Sequence, residues 1–372
     1  MRILDWAMGL GSQLVGWFVR PRNLGISLLS RSSAVLIVLA GGITIKAQGI
    51  AGFVEAFEIA PAEGLSGILL NILAYLACLT WVIGLVMVTG TQIREWREAD
   101  TRRILVVEMR GLVDTSDKPL LTAIPRSRVG RRVDCLVDVR NYLASPTPNV
   151  KEALKEIEHI QRDVRRARGD TARADVQIVA GGMMQVPLLF YAGTLLDDEG
   201  NVLLMDWERA KGDWKLLNDP ADGERFDVTG LESLDNSREV VLAVSASYLA
   251  AFDDIATTFP RLPVVHMARP NPQPNSLWSE ETQAVLTQQF LQMLGSLANQ
   301  GVEMVHLVLV APASLAIRFG KAYDHRNMPK LRCYQREQGH TPPYPWSIQM
   351  PAATQPAVSV PTPIPTEPER PT

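Results

Sequence analysis

The residues able to hold an anion and a flat ring fall at a few places along this chain of 372 residues. Gly181-Gly182-Met183 offers backbone that another group can approach closely where a helix starts. Ser245, Ser247 and Ser314 offer hydroxyls, Arg140 and Arg269 offer fixed positive charge, and Tyr248 and Tyr142 offer a face for stacking. Asn141 adjoins Arg140, and Pro312-Ala313 lead into Ser314 through a small-residue turn. Each has a plainer role as well. The Gly-Gly pair also suits a simple turn, Arg140 an ion pair with Asp138, Ser314 a helix cap and Tyr248 core packing, while Trp207 and Tyr334 suit packing at strand ends. Residues for bond-breaking are harder to find. HExxH, GxSxG, GxxxxGK[ST] and GxGxxG are all missing, and the five histidines are scattered without a metal-type spacing. His306 stands in an apolar run and reads as a satisfied core histidine. Asp197-Asp198-Glu199-Gly200 and Asp253-Asp254 read as turn and helix-surface acids. The chemistry on offer is binding, and no enzyme or cofactor is expected.

Composition narrows the partners. With 37 Lys and Arg against 40 Asp and Glu the net charge is −3, so a DNA or RNA polymer is not expected as a partner. Cys78, Cys135 and Cys333 are odd in number and far apart, which argues against a disulfide framework or structural zinc and for a reducing compartment.

Membrane segments come first among the elements. Leu65–Gly90 is uncharged and mostly apolar, longer than the roughly 20 residues a bilayer core requires. Ser32–Val54 is a second span, interrupted by Lys46, which lies off-centre and can snorkel. Arg20, Arg22 and Arg31 precede the first span. Arg94, Arg97, Arg102 and Arg103 follow the second, and the connecting loop carries Glu55, Glu58 and Glu63. The positive-inside rule then places both termini in the cytoplasm, with a short acidic loop outside. Residues 1–31 are a cytosolic or interfacial segment, in which Trp6, Leu10, Leu14 and Trp17 keep helical spacing. They suit either an interfacial amphipathic helix or loose structure.

After the membrane, strands and helices alternate. Strands are expected at Ile104–Met109, Val133–Val139, Val176–Ala180, Asn201–Trp207, Glu239–Val244, Leu262–Met267, Met304–Val310 and Lys330–Tyr334. Helices are expected at Lys151–Arg168, Met183–Leu196, Tyr248–Thr258, from Ser279 to Gly301, and at Ala313–Tyr323. This predicts an α/β fold with a mostly parallel sheet, in two units at about 101–225 and 236–338. Residues 177–209 and 306–337 share one plan. Each is an apolar strand, a small-residue turn, an apolar helix with Gly193 or Gly320, and a strand ending in Trp207 or Tyr334 with Arg209 or Arg336 two residues on. Residues 350–372 are Pro-rich and read as a disordered tail. The Arg126–Arg132 run suits a solvated loop or the neighbourhood of anionic headgroups.

The segment HLVLVAPASLAIRFGKAYDHRNMPKLRCYQRE resembles the signature end of the SAVED domain, and VVEMRGLVDTSDKPLLTAIP with RRVDCLVDVRNYL resembles its opening. The two spans in front resemble the two-transmembrane-helix subclass of these effectors. The resemblance implies a sensor of two fused CARF-like Rossmann units over residues 101–338. It implies as activating ligand a cyclic di- or trinucleotide of bacterial antiphage signalling, with the helices at 32–93 as the effector. Two helices per chain cannot enclose a pore, so self-association into larger oligomers or filaments is expected, together with contact with lipid and an inner-membrane location. A membrane-anchored nucleotide-binding enzyme and a signalling scaffold are the competing classes. Ligands of open parallel sheets bind beyond the carboxyl ends of strands. Such a ligand would therefore meet Arg140, Asn141, Gly181, Gly182, Met183, Ser245, Ser247, Tyr248, Arg269, Pro312, Ala313 and Ser314.

Overall fold

The computed structural model describes residues 24–40, 65–112, 117–144, 148–200, 202–234, 236–352 and 355–362. It divides into a unit ending at Glu98 and a unit from Ala99 onward.

In the first unit, helix α1 (Leu24–Ala40) lies along helix α2 (Leu65–Thr101). Small residues let the backbones approach: a Cβ on Gly84 would stand 3.0 Å from the Gly25 carbonyl oxygen. Further along, the Trp81 indole donates to Ser33 Oγ at 3.1 Å. Gly67–Ile93 is long and apolar enough to cross a bilayer, whereas Gly25–Ile37 is a shorter apolar helix. Helix α1 starts at Leu24, ahead of the expected Ser32 and with Arg31 inside it. The rest of the Ser32–Val54 span, the acidic loop and the Trp6–Trp17 stripe lie outside the described residues.

The second unit is built on two sheets. Strands β1 (Arg103–Arg110), β2 (Arg131–Asp138), β3 (Val176–Met183), β4 (Val202–Glu208) and β5 (Asp213–Leu216) lie in the order β2-β1-β3-β4-β5. The first four are parallel, and β5 returns antiparallel to β4. The second sheet holds β6 (Asp227–Thr229), β7 (Glu239–Ser245), β8 (Val264–Ala268), β9 (Met304–Val310), β10 (Lys330–Gln335), β11 (Trp346–Gln349) and β12 (Val358–Pro361). Its order is β12-β11-β10-β9-β7-β8-β6. Within it, β8-β7-β9-β10-β11 repeats the plan of β2-β1-β3-β4-β5, again with four parallel strands and an antiparallel return. Strands β1, β3, β7 and β9 are central and buried on both faces, which is why they read as unbroken apolar runs.

The helices are α3 (Leu120–Ala123), α4 (Arg140–Leu143), α5 (Val150–Arg168), α6 (Val186–Leu195), α7 (Phe252–Thr258), α8 (Glu280–Asn299) and α9 (Ala313–Ala322). Asn149 caps α5 through the Glu152 amide, and Ser279 caps α8 through the Thr282 amide. One hydrophobic core runs through both halves, joining Val107 and Ile178 to Phe190, Phe290, Phe319, Val240 and Leu307. At its centre α6 and α9 cross reciprocally. A Cβ on Gly193 would overlap the Ile317 carbonyl oxygen, and one on Gly320 would overlap that of Phe190. Gly193 and Gly320 are equivalent in the repeat, as are Phe190 and Ile317, so the crossing has local two-fold character.

Three expectations change. Gly181 and Gly182 lie within β3 rather than in a turn, and the following helix begins at Val186, where Pro187 can start it but a residue further back could not. Helix α7 begins at Phe252, leaving Tyr248 in a loop. Part of the Pro-rich stretch is ordered: Val358–Pro361 pairs antiparallel with β11, Pro361 sitting on an edge strand where its missing N–H is tolerated. Residues 363–372 lie outside the described residues.

Candidate functional site

Strand order fixes where a site can form. In the order β2-β1-β3-β4 the connection reverses between β1 and β3, and in the second sheet between β7 and β9. Such reversals leave a crevice at the strands' carboxyl ends. Both crevices open into one cleft of about 570 Å³. The first half lines it with Leu112, Gly182, Met183, Asp206, Trp207 and Arg209. The second half contributes Ser247, Tyr248, the segment Gln273–Trp278 and Ala311–Ala313.

Six of the twelve expected residues line this cleft: Gly182, Met183, Ser247, Tyr248, Pro312 and Ala313. Alternation along β3 separates the two glycines. Gly182 faces Met109 and Leu189, whereas Gly181 faces Met205 and the Trp214 ring on the opposite side of the sheet. Arg140 and Asn141 follow β2, which lies beyond β1 and away from the reversal, so they are not among the cleft residues. Arg140 instead holds Asp138 in a bidentate pair, with Nη2 to Oδ2 at 2.6 Å, and keeps that carboxyl below its usual range. Arg269 follows β8 and is likewise displaced. It is buried, with its guanidinium against Glu224 and Asp222, Nη1 donating to the Ala246 carbonyl at 3.1 Å and to Ser276 Oγ at 2.7 Å. It is absent from the cleft lining and ties the 273–278 wall to the end of β7 through Ser276 and the Ala246 carbonyl.

Ser314 is fully buried beneath the cleft. Its Oγ donates to Asp206 Oδ2 at 2.7 Å, its amide donates to the same oxygen at 3.2 Å, and it accepts from Gln283 Nε2 at 2.8 Å. An acid from the first half thus caps a helix of the second half. Burial pushes the Asp206 carboxyl up from its usual value, and the bonds from Ser314 oppose that shift. Since Asp206 already occupies the start of α9, an anionic ligand must find its cation elsewhere. Among the described residues lining the cleft, Arg209 is the sole cation, exposed and without an ion pair. Aromatic rings share the lining: Trp207, edge-on to Trp214 at 5.3 Å between centroids, Tyr248, and Trp278, over whose ring Lys215 Nζ stands at 4.7 Å.

Ser245 hydrogen-bonds His266 Nε2 at 2.8 Å, a pairing that could suggest a nucleophile. The hydroxyl is fully buried, accepts the Ala250 amide at 2.9 Å and does not line the cleft, so it is a structural contact. His306 is satisfied at both nitrogens, by Tyr334 at 2.8 Å and Glu239 at 2.9 Å. Among the described residues no cluster of ligating side chains suits a metal.

The sequence reading missed Asp206, Arg209, Trp278 and the 273–278 wall, and it placed Trp207 in packing. The repeat had already aligned Trp207 and Arg209 with Tyr334 and Arg336, which was the available signal.

A cleft shared by two fused α/β units, behind an apolar helical segment, defines a sensor module joined to a membrane module. Residues 160–350 match the "SMODS-associated and fused to various effectors sensor domain", and the chain belongs to this SAVED family. Residues 1–154 match the "SAVED-fused 2TM effector domain", a region that runs through β1 and β2 into α5. No curated protein matches the chain. Among solved structures, the fold is similar to the Acinetobacter baumannii Cap4 SAVED/CARF-domain containing receptor with the cyclic trinucleotide 2'3'3'-cAAA. The identity is 14%, the match covers 74% of this chain and 59% of that one, and the TM-score is 0.45. The Moraxella osloensis Cap4 receptor matches at 13% identity over 73% of this chain and 57% of that one, with a TM-score of 0.42.

Proposed function

We propose that this chain is a membrane effector of bacterial antiphage defence that binds a cyclic oligonucleotide in the cleft, assembles, and disrupts the inner membrane. Both termini and the sensor are cytoplasmic in this reading. The observation that carries it is the shared cleft, whose sole cation among the described residues, Arg209, makes no ion pair and shares the lining with the rings of Trp207 and Tyr248. Arg209 would take a phosphate, and the aromatic faces would stack bases. Gly182, whose Cβ side is filled by Met109 and Leu189, would offer the ligand only its backbone at the carboxyl end of β3. Ser247 and the 273–278 wall would supply the remaining polar contacts, with Arg269 holding that wall in place.

A cyclic ligand that bridges both halves binds only when the two strand-end sets are aligned, so it selects that arrangement. Two helices per chain cannot enclose a pore, and membrane damage needs several chains. A head-to-tail contact between unlike sensor surfaces, formed only with ligand in place, gives rings or filaments and gathers the Gly67–Ile93 helices. The chain acts here as a sensor and effector, not as an enzyme.

The test uses full-length protein in liposomes loaded with dye and a panel of cyclic di- and trinucleotides. One member of the panel is expected to bind, to increase light scattering and to release dye together. Binding without leakage would contradict the effector role. Leakage without growth in particle size would contradict assembly while leaving ligand gating in place.

A further inference from the structure

The end of the first sheet opposite the cleft is crowded with arginine. Arg103 begins β1 and Arg131 begins β2, and the two are paired in register. The Arg131 amide donates to the Arg102 carbonyl at 2.9 Å. Arg128 Nη1 reaches Gln177 Oε1 at the start of β3 at 3.1 Å. Helix α5 runs back against the strands, so its last turn arrives at the same end, where Arg103 Nη1 donates to the Ala167 carbonyl at 2.6 Å. Arg165 and Arg166 lie in that turn, and Arg173 precedes β3.

Arg126, Arg131, Arg165, Arg166 and Arg173 are exposed and form no ion pair among the described residues. Three exposed acids lie among them, Asp170, Asp175 and Asp198, the last lining a groove with Arg165 and Arg173, while Asp163 is taken by Arg162 and Glu199 by Arg168. A groove of about 410 Å³ crosses this end between Arg102, Arg103, Ser127, Arg128 and Asp175. In a chain whose overall charge is −3 this concentration is local.

Connectivity says what such a surface meets. The apolar run ends at Ile93 and its helix continues to Thr101, two residues before β1. Eight residues of helix rise about 12 Å. A bilayer crossed by Gly67–Ile93 thus presents its headgroups within reach of the strand starts, where cationic side chains are attracted to anionic lipid.

We propose that this arginine-rich end is a docking surface for the anionic phospholipid headgroups of the membrane that anchors the chain, a reading that rests on the membrane anchoring proposed above. Within the sensor unit this surface lies at the end opposite the cleft. It differs from the cleft in needing no defined ligand, only a negative surface. Its contribution is therefore salt-sensitive.

Full-length protein would be reconstituted into vesicles of phosphatidylcholine alone and of phosphatidylcholine with 30% phosphatidylglycerol, and amide hydrogen exchange followed by mass spectrometry. Flotation is read first, and protein that does not float with vesicles overturns the anchoring and this proposal with it. For protein that floats, segments 124–131 and 170–176 should exchange at least threefold more slowly in the anionic vesicles at low salt. That protection should vanish in 0.5 M NaCl and in the triple variant Arg126→Gln/Arg131→Gln/Arg173→Gln, while segment 273–278 exchanges alike in both lipids. Equal exchange in both lipids, or protection that survives salt or the triple variant, overturns the docking surface and leaves the anchoring intact.

Discussion

The two copies of the folding unit end their equivalent strands differently. In the second copy Tyr334 is buried and bonded to His306, with Phe259 edge-on at 4.9 Å, and Arg336 Nε meets Asp254 Oδ2 at 2.6 Å. In the first copy Trp207 lines the cleft, and Arg209 makes no ion pair among the described residues, although its charge acts, against the larger effect of burial, to lower the pKa of the Asp206 carboxyl. A second difference lies one connection away. Between β7 and β8 the chain forms α7, which carries Asp253 and Asp254, whereas the corresponding α3 between β1 and β2 reads LLTA and carries no acid. One scaffold thus engages one copy of its aromatic–arginine pair in packing and an ion pair and leaves the other copy lining the cleft.

The largest effects should come from the crossing that both copies share. Gly193→Ala and Gly320→Ala are each expected to cost about 3 kcal/mol or more, because the new methyl would meet backbone that cannot swing aside. Gly295→Ala, in the interior of α8 with open space around it, should instead stabilise by up to about 1 kcal/mol. Urea unfolding of the full chain would show both, and wild-type stability for Gly320→Ala would mean that the helices cross less closely.

Next in size is the contrast between the two arginines that follow the outer parallel strands. Arg269→Ala removes a buried guanidinium from Glu224, Ser276 and the Ala246 carbonyl. It should cost about 2 kcal/mol or more in stability and weaken ligand binding by loosening segment 273–278. Arg140→Ala breaks a partly exposed pair with Asp138. It should cost less than about 1 kcal/mol and leave affinity unchanged. Equal losses of affinity in the two variants would return both arginines to the ligand.

Much of this architecture is readable before any coordinates. The central strands β1, β3, β7 and β9 are covered on both faces and betray themselves as apolar runs, and Ser279 marks its helix by its cap. The short antiparallel strands are silent: Asp213–Leu216 mixes charge with apolar residues, and Val358–Pro361 hides in proline-rich composition. For the site, the strand ends that flank a reversal line the cleft, and those one strand further out, after β2 and β8, do not. Strand order is a long-range property, and so is the pairing of Arg336 with Asp254, 82 residues apart. Neither is carried by local pattern. The aligned Trp207–Arg209 and Tyr334–Arg336 were visible as a repeat, but nothing local distinguishes the free arginine from the neutralised one.

The smallest expected effect is on pH dependence. Burial lowers the imidazole values of His266 and His306, with Glu239 partly opposing the shift at His306. Between those lowered values and the ordinary 6.5, the unfolded chain carries more protons than the folded one. Stability from these two sites is therefore full above pH 6.5 and declines as the pH falls below it. Both histidines lie in the second sheet. Hydrogen exchange at pH 5.5 should accordingly rise in β7–β9 relative to pH 7.5, after correction for intrinsic rates, with little change in β1–β3. A uniform change across both sheets would contradict this.

The comparison is decided most directly by titrating a cyclic trinucleotide that binds the full-length protein in nanodiscs into Arg209→Ala and Arg336→Ala. Loss of a charge-assisted bond of about 1.5–3 kcal/mol should weaken binding roughly ten- to hundredfold in Arg209→Ala, while Arg336→Ala binds as wild type. Unchanged affinity in a folded Arg209→Ala protein, or an equal loss in Arg336→Ala, would contradict the assignment of the ligand to the first copy's strand end.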